Sequence, residues 1–241
     1  MSEPTAHLLA LRSSTADLIK GLSSLHWSDG DVAGPSLCTG WTRGHVLTHI
    51  ARNADAVGRT FAGALRGEVV ARYPDGPAGR GADIEAGAGR SAVELLADVR
   101  DSADRLDRLC GALTEASAWD RPADGDRPAS GWIRSRWNEV EIHRADLNGA
   151  YGAADWPASF VDYLLPRLAT KVGERSEQPL RIEVARDGST TTDLGGTVWT
   201  SGGRDAVTVS GPDWALLAWL TGRPSLAGDA LTATPELAPW S

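Results

Sequence analysis

The sequence predicts an α+β fold: a four-helix bundle over residues 1–151, followed by a small α+β domain with an antiparallel sheet over 152–241. Three observations carry this. Apolar residues recur at helical spacing in four successive stretches before Asn148-Gly149. Beyond that point LRIEVA and DAVTVS alternate apolar and polar with period two, as half-buried strands do. All five histidines (His7, His26, His45, His49 and His143) and both cysteines lie in the first part, so the second cannot supply a soft metal ligand.

Leu8, Leu11, Leu18 and Leu22 mark the first helix, which Gly21 and the run SSLHWSDGD are expected to stop. HWSDGDVAGPSLCTGW reads as a loop. Thr42 then caps a second helix whose buried stripe is Leu47, Ile50, Ala54, Val57 and Phe61, with His49 on its flank. Between Gly67 and Gly89 periodicity is lost and Gly, Pro and Asp accumulate, as in a surface loop or lid that brings the charges Arg72, Arg80 and Arg90. A third helix follows along Ala92, Leu96, Val99, Ala103, Leu106, Cys110 and Leu113, which makes Cys110 a core residue. SAWDRPADGDRPAS is another connection, and a fourth helix begins near Gly131 with Ile133, Val140 and Leu147 inward.

In the second part, Val161, Leu164, Leu165 and Leu168 form one helical face. LRIEVA, TTDLGGTVWT with its Gly-Gly turn, and DAVTVS form three antiparallel strands. Pro212 opens a last helix and Gly222 closes it, leaving a tail with room for a short strand.

The chain has 241 residues, 41% of them hydrophobic, enough for real cores without disulfides. Its formal charge of −8 and pI near 5.1 argue against nucleic acid or an anionic membrane as partner, since phosphate binding needs a basic face. The start MSEPTAHLLALRSS lacks the basic opening of an export signal, and no apolar run reaches a membrane span. Cys38 and Cys110 form no CxxC pair, which favours a reducing cytoplasm. Lys20 and Lys171 are the only lysines, so the cations are arginines, whose planar fork suits carboxylates.

The chemistry concentrates in RWNEVEIHRAD, where Arg136, Glu139, His143 and Asp146 fall on one helical stripe. His45 and His49 share the same four-residue spacing on the second helix. Two imidazoles and a carboxylate from facing helices make a three-ligand metal site with an open position.

CTGWTRGHVLTHIARNADA together with RWNEVEIHRADL resembles the mycothiol-dependent maleylpyruvate isomerase family, whose members join a DinB-like helical bundle to a small α+β domain. The resemblance covers nearly the whole chain. It implies a divalent metal, usually zinc, held by His49, Glu139 and His143, with mycothiol as the thiol cofactor. It also implies that Arg223, after the last helix, and Arg80, in the segment before the third helix, meet the substrate; solvated surface charges are the alternative for each. His45 is implied to be a hydrogen-bonded helix residue outside the principal ligand set. Asp146 is either a partner that orients a ligand or a solvated helix-terminal acid. The implied reaction activates the thiol as metal-bound thiolate, adds it to an electrophilic unsaturated acid, and expels it after rotation from cis to trans. The alternatives are a mycothiol S-transferase, which stops at the conjugate, and a non-catalytic metal-binding or regulatory interaction protein.

Overall fold

The computed structural model describes residues 3–113, 116–185, 198–203 and 205–239, in two compact units, Met1–Ala150 and Tyr151–Ser241. In the first unit the long helices are α1 (Glu3–Leu25), α3 (Arg43–Arg66), α5 (Ala92–Ala112) and α7 (Ala129–Asp146). Between them lie α2 (Asp29–Ala33), α4 (Gly76–Ala88), α6 (Ala116–Trp119) and a small hairpin, β1 (Pro122–Asp124) with β2 (Arg127–Pro128). α3 packs on α5 and α7, and α1 on α7 and α5. Leu18, Leu47, Ile50, Phe61, Leu95, Ile133 and Val140 are almost wholly removed from water between them. Each buried Leu, Ile or Phe contributes about 1.5–3 kcal/mol of transfer free energy.

Local chemistry sets the helix starts. Thr42 accepts from the backbone of His45 while the His45 side chain answers the Thr42 N–H, closing a capping box at the head of α3. Ser91 and Glu94 do the same for α5. Gly67, at φ 75°, ends α3 in the left-handed region. Gly21, by contrast, stops nothing: α1 continues to Leu25, because packing against α7 holds the turn that contains it.

The expected loop over 67–89 is the largest departure. Residues 76–88 form α4, with Pro77 in its first turn and Ile84 and Ala88 buried. Glycines speak against a helix in isolation, but Gly87 of α4 and Gly44 of α3 let the two helices pack closely. A Cβ on Gly87 would lie 2.5 Å from the Thr48 side chain, and one on Gly44 would lie 2.2 Å from the Ala88 carbonyl. Docking, not propensity, makes this helix.

The second unit comprises α8 (Ala158–Ala169), β3 (Leu180–Val184), β4 (Val198–Thr200), β5 (Val207–Gly211), α9 (Asp213–Leu220) and α10 (Pro224–Ala227). The sheet order is β4-β3-β5. β4 pairs antiparallel to β3, with Ile182 opposite Trp199, but β5 pairs parallel to it, with Ile182 beside Val209. Three antiparallel strands were the expectation. Alternation reports which face is buried and says nothing of strand direction, and here the short turn after Thr200 carries the chain around the start of β3 to its other edge. The Gly-Gly turn of TTDLGGTVWT lies outside the described residues. α9 is buried from Ala215 to Leu220. No strand is assigned in the described part of the tail, although the Thr232 N–H donates to the Ser210 carbonyl at 3.0 Å. Among the described residues no helix is long and apolar enough to cross a membrane.

Candidate metal centre

α3 and α7 face one another across the bundle, and the pairing delivers His49 from one and Glu139 and His143 from the other. His49 Nε2 lies 2.8 Å from Glu139 Oε2 and 3.1 Å from His143 Nε2, and His143 Nε2 lies 3.2 Å from the same Glu139 oxygen. Three donor atoms thus form a near-equilateral triangle. A tetrahedral ion with bonds of about 2.0–2.1 Å needs donors roughly 3.3 Å apart, so this donor set fits zinc on three corners and leaves a fourth open.

The surroundings fix the rings. His143 Nδ1 donates to Asp146 Oδ2 at 2.8 Å, which turns Nε2 toward the triangle, where its lone pair is available once the proton on it is lost. Asp146 is fully buried, so of its two sequence readings the orienting one matches its place. The Cys38 thiol donates to the same Asp146 oxygen at 3.3 Å, and the Leu37 N–H donates to the Asp146 carbonyl at 2.8 Å. The loop before α3 is thereby tied to the end of α7. Trp41, in that loop, sets its ring 5.6 Å from that of His49 and stacks on His45 at 6.1 Å.

Electrostatics follow from burial and these contacts. Burial drives the pKa of His49 down to about 4, so its imidazole is neutral at physiological pH. Burial opposes the charge on Glu139, but hydrogen bonds from His143 and His49 outweigh it and hold the carboxyl well below its usual range. Burial likewise opposes a proton on His143, yet Asp146, Cys38 and Glu139 together raise its pKa well above the ordinary value. A cation binding here displaces that proton.

Arg80, carried on α4, reaches the trio: its Nη2 lies 3.1 Å from His49 Nδ1. That contact needs a bare Nδ1, whereas donation from Nε2 to a metal leaves the proton on Nδ1, so the two arrangements exclude one another. Arg223 belongs to the second unit, where its Nη1 donates to the Thr221 carbonyl at 2.6 Å. His45 caps α3 and meets Glu85 at 3.1 Å, outside the triangle. Arg136, on the charged stripe of α7, is not a ligand. It is only 1% exposed and donates to the Ile50 carbonyl at 2.8 Å and to Asn53 at 3.0 Å, pinning α7 to α3 one turn from Glu139. Burial lowers its pKa to about 10, which still leaves it charged.

Sequence reasoning missed Cys38, Trp41 and the inward turn of Arg136. Cys38 and Trp41 sit inside the very string that carries the resemblance, which was the available signal; nothing in the helical period tells a buried Arg136 from a solvated one. Cys110 is buried in the bundle, with its thiol pushed up to about 12 by burial first and Asp107 second, and is inert as a nucleophile.

A family model described as the mycothiol maleylpyruvate isomerase N-terminal domain matches residues 8–148, and one described as the MDMPI C-terminal domain matches residues 155–241. The fold is similar to the crystal structure of the mycothiol-dependent maleylpyruvate isomerase, with a TM-score of 0.81 and 25% identity over 99% of this chain and 98% of that one. A histidine-to-alanine mutant of that enzyme matches with the same TM-score, identity and coverage. No curated protein sequence matches the chain.

Proposed function

The chain belongs to the mycothiol-dependent maleylpyruvate isomerase family, and from that premise we propose that it is a metal-dependent enzyme that uses mycothiol to convert a cis-configured unsaturated keto acid of the maleylpyruvate type to its trans isomer. The observation that carries this reading is the triangle of His49, Glu139 and His143, with donor atoms 2.8–3.2 Å apart. We assign these three as the ligands of a divalent ion, zinc by the chemistry of two imidazoles and one carboxylate. When bound, such an ion supplies a Lewis acid at the open corner that keeps a thiol deprotonated at neutral pH.

The chain's own groups do the rest. Asp146 accepts from His143 Nδ1 and holds the imidazole in the tautomer that presents Nε2. Addition of the thiolate sulfur to one alkene carbon sends the π electrons to the conjugated carbonyl as an enolate. The former double bond rotates as a single bond, the enolate collapses, and the thiolate leaves unchanged. Arg80, released from His49 Nδ1 when that nitrogen carries a proton, is free to hold a carboxylate or the enolate oxygen. Arg223 is assigned the companion cation on its position after α9. The two cysteines are free, as suits a reducing cytoplasm, and neither enters the reaction.

Incubating the zinc-loaded protein with mycothiol and maleylpyruvate and resolving the products tests the reading. Isomerisation with the thiol recovered is the expected result. Accumulation of a thiol conjugate would assign the chain to S-transfer, and no thiol-dependent change, with no metal retained, would assign it to a non-catalytic role.

A further inference from the structure

We propose that Arg72 is a specificity residue of this site, holding one of the two carboxylates of the substrate diacid beside Arg80; the inference rests on the isomerase reading above. A pocket of about 410 Å³ opens beside Glu139 and is lined also by Arg72, Tyr73, Arg80 and Asp124. Arg72 stands in the segment between α3 and α4, and its backbone carbonyl accepts from Arg59 Nη1, which fixes the chain there.

Aromatic rings position its side chain. The guanidinium carbon lies 4.1 Å from the centre of the Trp132 ring and 5.0 Å from that of Tyr73. Among the described residues the Arg72 side chain makes no hydrogen bond. Its Nε is buried without an acceptor, and the nearest carboxylate, on Asp124, is 4.0 Å from that nitrogen, too long for one. The side chain is one-quarter exposed to water. This is a cation with its conformation set and its donors unspent, so a planar anion can bind the fork with little further ordering.

Tyr73 couples this cation to the one already assigned. The guanidinium carbon of Arg80 lies 5.8 Å from the same phenol ring, so Arg72 and Arg80 flank one aromatic side chain at the wall of one pocket. Asp124 and Glu139 line the same space and disfavour a carboxylate anywhere except against the two guanidinia. A short diacid satisfies both arginines. A monoacid leaves one of them unpaired.

The test uses the full-length zinc-loaded chain and two unreactive probes, succinate and monomethyl succinate, titrated by calorimetry. The unmodified chain is expected to prefer the diacid. In Arg72→Gln the succinate Kd rises about 10- to 100-fold, as for loss of a charge-assisted hydrogen-bonded pair, while that of the monoester moves less than about threefold. Arg72→Lys, which keeps the charge without the fork, falls between. In turnover, Arg72→Gln raises KM for maleylpyruvate and leaves kcat and the KM for mycothiol within about twofold. Equal weakening of both probes, no preference in the unmodified chain, or a change confined to the mycothiol KM overturns the assignment. A preference for succinate that Arg72→Gln abolishes, in a protein without thiol-dependent turnover, supports the diacid subsite and overturns the isomerase reading alone.

Discussion

The two units are built to opposite rules about polarity. In the helical unit the buried set includes His49, Asn53, Ser102, Arg136, Glu141 and Asp146, whereas in the second unit Thr221 is the one polar residue fully buried among those described. Removing a polar group from water costs free energy unless each donor and acceptor finds a partner. The first unit meets that condition through linked contacts: Cys38 and His143 share Asp146, and Arg136 spans α7 to Ile50 and Asn53 of α3. The second unit avoids the cost with an apolar α9 and the alternating faces of β3 and β5. Buried polarity of this kind marks the unit that holds the His49, Glu139 and His143 cluster, whereas the second unit keeps its core apolar.

Substitutions sharpen that contrast, beginning with the one of greatest effect. His143→Ala removes a corner of the triangle, and zinc analysis together with turnover is expected to show loss of stoichiometric metal and at least about a 10³-fold fall in kcat/KM, with the fold retained by circular dichroism. Leu216→Ala in the apolar unit should do the reverse: unfolding in urea shows a loss of about 2–5 kcal/mol, while zinc affinity stays within about twofold because no donor atom is touched. Retained zinc in the first variant, or lost zinc in the second, breaks the division.

Acid acts on the polar unit through His49. Its folded pKa, about 4, lies below the ordinary histidine value of 6.5, so between these the unfolded chain takes up a proton that the folded one refuses. The His49 contribution to the stability of the metal-free protein is therefore present in full only above about pH 6.5 and declines as pH falls toward 4, by up to about 3 kcal/mol. His143, whose folded pKa is raised, works in the opposite sense: its contribution is fully present below about pH 6.5 and is lost as pH rises above that value, so its slope lies mainly above the window. Urea titrations across the window should show a shallower decline in His49→Gln than in the parent, the remainder coming from Glu139, whose carboxyl is also held low in the folded chain. The smallest effect is that of Asp146→Asn, which keeps the shape and weakens the grip on His143 Nδ1. Competition with a chelator should reveal a 10- to 100-fold loss of zinc affinity.

The amino-acid order by itself determined the long helices and which side of α7 carries Glu139 and His143. A buried helical face repeats every 3.6 residues, and the four-residue step from Glu139 to His143 puts both on one side of α7 wherever that helix packs. The caps at Thr42 and Ser91 are equally local, each a contact between residues three apart. What only the tertiary structure decided depends on contacts between distant segments. α4 exists because glycines at 44 and 87 let it dock on α3, and that docking brings Arg80 to His49 Nδ1. β5 runs parallel to β3 because of how a short turn crosses the sheet edge, which no alternation records. Arg72 gained its aromatic neighbours when Trp132 and Tyr73 packed around it, and Cys38 its carboxylate partner when its loop met Asp146. Periodicity encodes the face that a segment turns inward; the partner waiting there is set by packing between parts of the chain tens of residues apart.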